Sequence, residues 1–402
     1  MPQPNFPVPP INDGAAAWII QNTLDCMQDQ NVKALTFFDS RMKAFNLSEH
    51  YIVFRGDSII FKIQRKLCRF IFWNKFLRYN FSSKYFDYLV ALIISCFKQK
   101  PDAVVVHSTK WSWVLLIRRI IPFRATKVVW YHHNSEDQNY SPDVLEQYKE
   151  IDAHIFVSQY SREAFVSALE SLDPDIQKKA FVVANGININ LFIPDAIRAV
   201  YYKKGAGIDH HKIVICFIGR LIERKGFHHL FTALKNLPEA LQEKITLMVV
   251  GAVDYYSDAV TTYTKNMQDL INLHDYLFDV KITGYIPHRQ MPDVINASDI
   301  IVCPSLDLEG MPLTILEAQS TAKPVISSKL GGIPEIIDHE LDGFLLEPPG
   351  DIQQIRDYVS RLITDKELAF QIGTKARIKI TENYSQFKMA ALFKKTIDQI
   401  LQ

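Results

Sequence analysis

"DIIVCPSLDLEGMPLTILEAQSTAKPVISS" (299–328) holds an apolar run ending at Ser305, a polar loop with Glu309, Gly310 and Pro312, a helical stretch carrying Glu317, and a second apolar run. Short apolar runs separated by an amphipathic stretch are the strand–helix–strand pattern that builds a parallel sheet. The same alternation extends outward in both directions. Strands are expected at "IVICFIG" (213–219), "ITLMVVG" (245–251) and "VKITGYI" (280–286), and an earlier set at "AVVVH" (103–107), "KVVWYH" (127–132), "AHIFVS" (153–158) and "AFVVAN" (180–185). Between the two sets, residues 194–212 mix charges, Gly and His. The pattern predicts an α/β chain of two domains joined near residues 190–212, with no repeat period and no low-complexity tract.

The 402 residues suffice for two or three cores, and 48 % hydrophobic content suits a globular chain. Lys and Arg (45) nearly balance Asp and Glu (44), which argues against nucleic acid as a partner. The five cysteines lack C-x-x-C spacing, so reduced thiols and a cytoplasmic setting are expected. The proline-rich start, "MPQPNFPVPPINDG", has no apolar core, which predicts that it is not a secretory signal. The run "YLVALIISCF" (88–97) is too short to span a bilayer and reads as a buried helix.

In parallel sheets ligands gather where strands end. The expected strands finish on His107, His132 and His133, Ser158, Asn185 and Gly186, Gly219 and Arg220, Gly251, Gly284 and Ser305. After the 213–219 strand, Arg220 and Lys225 stand ahead of an amphipathic helix, where free N–H groups already favour an anion. A guanidinium fork and a mobile ammonium together match a diphosphate. Pro312 suits the first position of the next helix, with backbone N–H groups of Met311, Leu313 and Thr314 available to an anionic group. From there Glu317 lies about 7.5 Å further along the axis, so Glu309 and Glu317 would hold two parts of one elongated ligand.

The ordered segments "GRLIERKG" (219–226), "EGMPLTILEA" (309–318), "SSKLGGIPEII" (327–337) and "DGFLLEPPGD" (342–351) resemble the nucleotide-binding domain of retaining glycosyltransferases of family four. "ANGININLF" (184–192) and "TGYIPHRQMPDVINASDIIVCPS" (283–305) add to the likeness, which covers nearly all of 180–385. It implies the GT-B architecture, two Rossmann-like domains facing across a cleft. The domains would be an acceptor-binding domain at 1–193, a nucleotide-sugar-binding domain at 194–385, and a C-terminal helix at 386–402 that can cross back to the first domain.

The resemblance also implies roles. Arg220 and Lys225 would hold the donor diphosphate, and Glu309 the hydroxyls of the transferred sugar near the reacting carbon. Glu317 would take the ribose, backbone from Gly310 through Met311 and Pro312 to Leu313 the sugar and phosphate, and Tyr285 with Ile286 the base. In the amino-terminal half, Gly14, followed by Ala15 where the family commonly has a second Gly, would touch the donor phosphates. His133 would shape the sugar site. No cofactor and no metal are expected: "DPD" (173–175) reads as a surface turn, and "DHHK" (209–212) has no ordinary ligand spacing.

These expectations add up to a retaining transferase moving a hexose or N-acetylhexosamine from a nucleotide sugar, UDP-sugar by default, to a glycan or lipid-linked acceptor in cell-surface polysaccharide or glycolipid synthesis. An inverting or protein-glycosylating transferase, and a catalytically silent binding subunit of the same architecture, are the alternatives. Residues 61–86 carry seven cations, no acid, and the aromatics Phe72 and Phe76 on the basic face. That pattern suits either a solvated amphipathic helix or peripheral contact with an anionic membrane, which would place the chain at the inner face.

Overall fold

The computed structural model describes residues 15–27, 34–37, 51–54, 83–107, 111–121, 125–133, 146–252 and 261–402. They divide into two compact units, residues 1–184 with 387–402, and residues 185–386.

In the first unit, β1 (Ala34–Phe37) and β2 (Tyr51–Phe54) form a parallel pair that the sequence reading did not anticipate. A second parallel sheet runs in the order β3 (Ala103–His107), β4 (Lys127–His132), β5 (Ala153–Phe156), β6 (Ala180–Val182). The run at 88–97 lies in the helix Ser83–Gln99, whose Val90, Ala91, Leu92, Ile93 and Cys96 are buried. Among the described residues no helix is long and apolar enough to cross a membrane.

The second unit is built on six parallel strands in the order β12-β11-β10-β7-β8-β9: β7 (Ile213–Ile218), β8 (Ile245–Val250), β9 (Asp279–Gly284), β10 (Ile300–Cys303), β11 (Val325–Ser328) and β12 (Phe344–Leu346). Every residue of β8 is buried, as expected of a parallel strand covered on both faces. Leu230, Phe231 and Leu234 of the helix Phe227–Lys235 pack on Ile215, Leu247 and Val249 from the sheet.

The division falls at 184/185, not at 193/194. Residues 185–193 belong to the second unit because their polar atoms are satisfied there. Asn185 Nδ2 donates to the Met311 carbonyl (2.8 Å), and the Phe192 carbonyl accepts from Ser320 Oγ (2.7 Å) and Arg377 Nη1 (3.2 Å). The last helix, Gln386–Leu401, joins the first unit through buried Met389, Ala390 and Phe393, the Phe393 ring stacking on Tyr131 at 6.2 Å.

Candidate active site

β7 and β10 are neighbours, yet the strands that follow them run outward in opposite directions, to β8 and β9 on one side and to β11 and β12 on the other. That reversal opens a crevice beyond their carboxyl ends, the usual ligand position in such sheets. The loop after β7 carries Gly219 and half-exposed Arg220, then a 3-10 turn, Glu223–Lys225, and the helix Phe227–Lys235. The loop after β10 carries Ser305 and Glu309 into the helix Leu313–Ser320.

The two loops are fastened together. Leu306 N–H donates to the Arg224 carbonyl (2.8 Å). Gly226, at φ +71°, lies so close to Pro304 that a β-carbon there would sit 2.0 Å from the Pro304 carbonyl oxygen. Only glycine supplies both the left-handed backbone and the missing side chain.

Lys225 Nζ pairs with Glu309 Oε1, and Ser305 Oγ donates to the same oxygen (3.0 Å). The Glu309 carbonyl accepts from Gly332 N–H (2.9 Å), while Gly331, at φ +55°, leaves room where a β-carbon would meet that carbonyl oxygen at 2.1 Å. Glu309 is thus held at its carboxylate by the loop after β7 and by Ser305 of its own loop, and at its backbone carbonyl by the loop after β11. Lys225, Ser305, Glu309 and Thr314 line a cavity of about 30 Å³, room for one water. The Cys303 thiol borders it, held up to about 12 by burial and therefore protonated.

One detail differs from the sequence reading. Pro312 is not the first helical residue but the residue before it, at φ −67° and ψ 123°, and the helix begins at Leu313. Its extended backbone leaves the amides of Leu313 and Thr314 in the first turn, the end where helical N–H groups lack intrahelical acceptors. Gly310 and Met311 are buried ahead of it.

Glu317 is 4 % exposed, and its Oε1 lies 2.6 Å from His288 Nε2. Tyr285 and Ile286 lead from β9 into the 3-10 turn His288–Gln290, so this contact ties their segment to the Leu313–Ser320 helix. His288 was not among the sequence candidates. It sits inside the quoted segment 283–305, two residues beyond Ile286, which was the available signal.

In the first unit His133 directly follows β4. Its Nε2 is 2.7 Å from His107 Nδ1, its ring stacks on Tyr131 (4.7 Å), and the Tyr131 hydroxyl donates to the Val183 carbonyl (2.9 Å). A second pair, His132 Nε2 and His154 Nδ1, is 3.1 Å apart. Burial lowers all four: His133 and His154 to about 3, His107 and His132 well below the ordinary value. Each pair therefore shares a hydrogen between neutral rings.

Gly14 and the basic segment 61–82 lie outside the described residues. Ser158, one of the strand-end residues, is a helix cap, its Oγ accepting from Ser161 N–H (3.2 Å). Asp173 and Asp175 form a surface turn, paired with Lys179 (2.9 Å) and Lys178 (2.7 Å). Asp209, His210 and His211 bring potential ligand atoms within 4.8 Å of one another, but on the exposed turn ahead of β7, away from the loops described above.

Residues 202–379 match the family described as "Glycosyl transferases group 1". The chain is 30 % identical over 213 residues to the Escherichia coli UDP-Gal:alpha-D-GlcNAc-diphosphoundecaprenol alpha-1,3-galactosyltransferase, covering 52 % of this chain and 51 % of that protein. It is 27 % identical over 252 residues to a Mycobacterium tuberculosis GDP-mannose-dependent alpha-(1-6)-phosphatidylinositol monomannoside mannosyltransferase, covering 60 % of each. The chain thus spans about half to three-fifths of the length of these relatives. Among solved structures, Anabaena Alr3699/HepE in complex with UDP-glucose superposes with a TM-score of 0.72 at 20 % identity, over 96 % of each chain, a likeness of fold.

Proposed function

We propose, for a chain whose residues 202–379 match the family Glycosyl transferases group 1 and whose fold is of the GT-B class, a retaining, metal-independent transfer of a hexose or N-acetylhexosamine from a nucleotide sugar to a glycan or lipid-linked acceptor. The observation that carries this reading is the pairing of Lys225 with Glu309 at the point where the strand order reverses, with Arg220 on the same loop as Lys225 and Glu317 on the helix that follows Glu309. Two cations and the first amides of the Leu313–Ser320 helix suit a diphosphate, and a carboxylate beside them suits the sugar.

The chemistry follows from those charges. The bond from the anomeric carbon to the diphosphate oxygen breaks, an acceptor oxygen bonds to that carbon from the same face, and the acceptor proton passes to the departing phosphate. Arg220 and Lys225 offset the charge that grows on the leaving group, and Glu309 offsets the positive charge on the sugar ring. Before the donor arrives, Lys225 is occupied by Glu309; a phosphate gives it a second anionic partner, so the pair is a charge reserve placed between diphosphate and sugar.

Both curated relatives named above have lipid-borne acceptors in their names, which supports a lipid-linked acceptor here. The first of these names carries a UDP-sugar and the second GDP-mannose, so both donor classes enter the test. A thermal-shift screen of UDP-glucose, UDP-galactose, UDP-N-acetylglucosamine and GDP-mannose in EDTA tests the donor. A true donor at 100 times its Kd stabilises by about 2.7 kcal/mol and raises the melting midpoint. If none raises it, the donor reading fails.

A further inference from the structure

We infer that His288 is a positioning residue for donor recognition, holding one oxygen of the Glu317 carboxylate so that the other is presented to the ribose hydroxyls. The inference rests on the proposed reading of Glu317 as the ribose acceptor. The contact between His288 and Glu317 from which it starts is observed directly.

Glu317 sits on the first turns of the Leu313–Ser320 helix with almost no contact with water. A carboxylate so placed is costly unless hydrogen-bonded. The donor it has is His288, whose Nε2 lies 2.6 Å from Oε1; because a carboxylate only accepts, Nε2 carries the hydrogen. The imidazole is itself steered. The buried ring of Phe192 lies 5.5 Å away at 58°, and the Phe192 carbonyl is anchored to Ser320 at the far end of the same helix.

The result is a chain of contacts, Phe192 to His288 to Glu317, that fixes both the rotamer of the carboxylate and which oxygen is used. Among the described residues no other side chain donates to that carboxylate, so Oε2 keeps its acceptor capacity for a ligand. A histidine behind a ligand-binding carboxylate acts as outer partners do around metal ligands, by aiming the group that touches the ligand. A carboxylate aimed in advance rejects a ligand that lacks the matching hydroxyl, because its oxygen is then left dry and unpaired.

The test compares the Kd of UDP with those of 2′-deoxy-UDP and 3′-deoxy-UDP by calorimetry, in the wild type, His288→Ala, His288→Gln and Glu317→Gln. The wild type is expected to prefer UDP over at least one deoxy analogue by about 10-fold, the loss of one good hydrogen bond. His288→Ala and Glu317→Gln should reduce that preference to about 2-fold or less. His288→Gln, which keeps an N–H donor at similar reach, should retain most of it.

A merely structural histidine would weaken all three ligands alike and leave the ratio unchanged. An unchanged ratio in His288→Ala overturns the inference while the ribose reading of Glu317 stands. A wild type that binds UDP without discriminating overturns that reading and the inference with it. Should Ala reduce the folded yield, His288→Asn, whose amide stops short of Glu317, takes its place with the same two outcomes.

Discussion

Glu309→Gln is expected to lower kcat by about 100-fold or more while the Kd for UDP stays within about 3-fold of wild type. Glutamine keeps the shape of the side chain and can still accept from Ser305 Oγ and Lys225 Nζ, so the loops after β7 and β10 should stay joined. What is lost is the negative charge. In the ground state that charge is already compensated by Lys225, so its removal has little effect on binding the nucleotide. In the transition state Lys225 is drawn to the leaving diphosphate and the sugar becomes cationic, so the carboxylate is then most needed. An interaction that strengthens only there appears in kcat. Steady-state kinetics paired with UDP titration decides the matter: turnover within about 3-fold of wild type would remove Glu309 from the mechanism.

Mild acid should destabilise the first unit. His107, His132 and His154 are 8 %, 4 % and 0 % exposed, and each is kept neutral by burial. Above the ordinary value of 6.5 neither the folded nor the unfolded chain protonates them, and their contribution to stability is fully present. As pH falls below 6.5 the unfolded chain takes up protons that the folded chain refuses, down to about 3 for His154, so stability declines across that window. Each such histidine costs up to about 1.4 kcal/mol per pH unit. His133, partly exposed at the strand end, is left out of this sum.

All three act in the same direction, so the melting midpoint of the first unit is expected to fall between pH 7.5 and 5.5. All five tryptophans (residues 18, 73, 111, 113 and 130) precede residue 185, so tryptophan fluorescence follows the first unit alone. A fluorescence melting midpoint that does not move between pH 7.5 and 5.5 would refute the expectation. The window lies above the range where surface carboxylates titrate, which keeps the two effects apart.

Local pattern carried most of the fold. β3 and β4 have the bounds that their apolar runs suggest; β4, buried on both faces, declares itself as a continuous Val and aromatic run. β12 was not read as a strand, although its segment was quoted: three residues, Phe344–Leu346, ahead of two prolines give no usable period. The site was legible as residues but not as contacts. Lys225 and Glu309 are 84 positions apart and His288 and Glu317 are 29 apart, and no periodicity reports which loops meet. The same holds for Asn185, read as a strand-end residue, and Phe192, part of a quoted segment, which serve as braces for Met311 and Ser320.

The most direct measurement is nucleoside diphosphate release from UDP-sugars and GDP-sugars in EDTA, by the wild type and by the double variant Arg220→Ala, Lys225→Ala. Two fixed cations that act in place of a metal predict release by the wild type without added metal and a rate at least about 100-fold lower in a folded double variant. Release that requires manganese, equal rates in the two proteins, or no release from any donor would contradict the account.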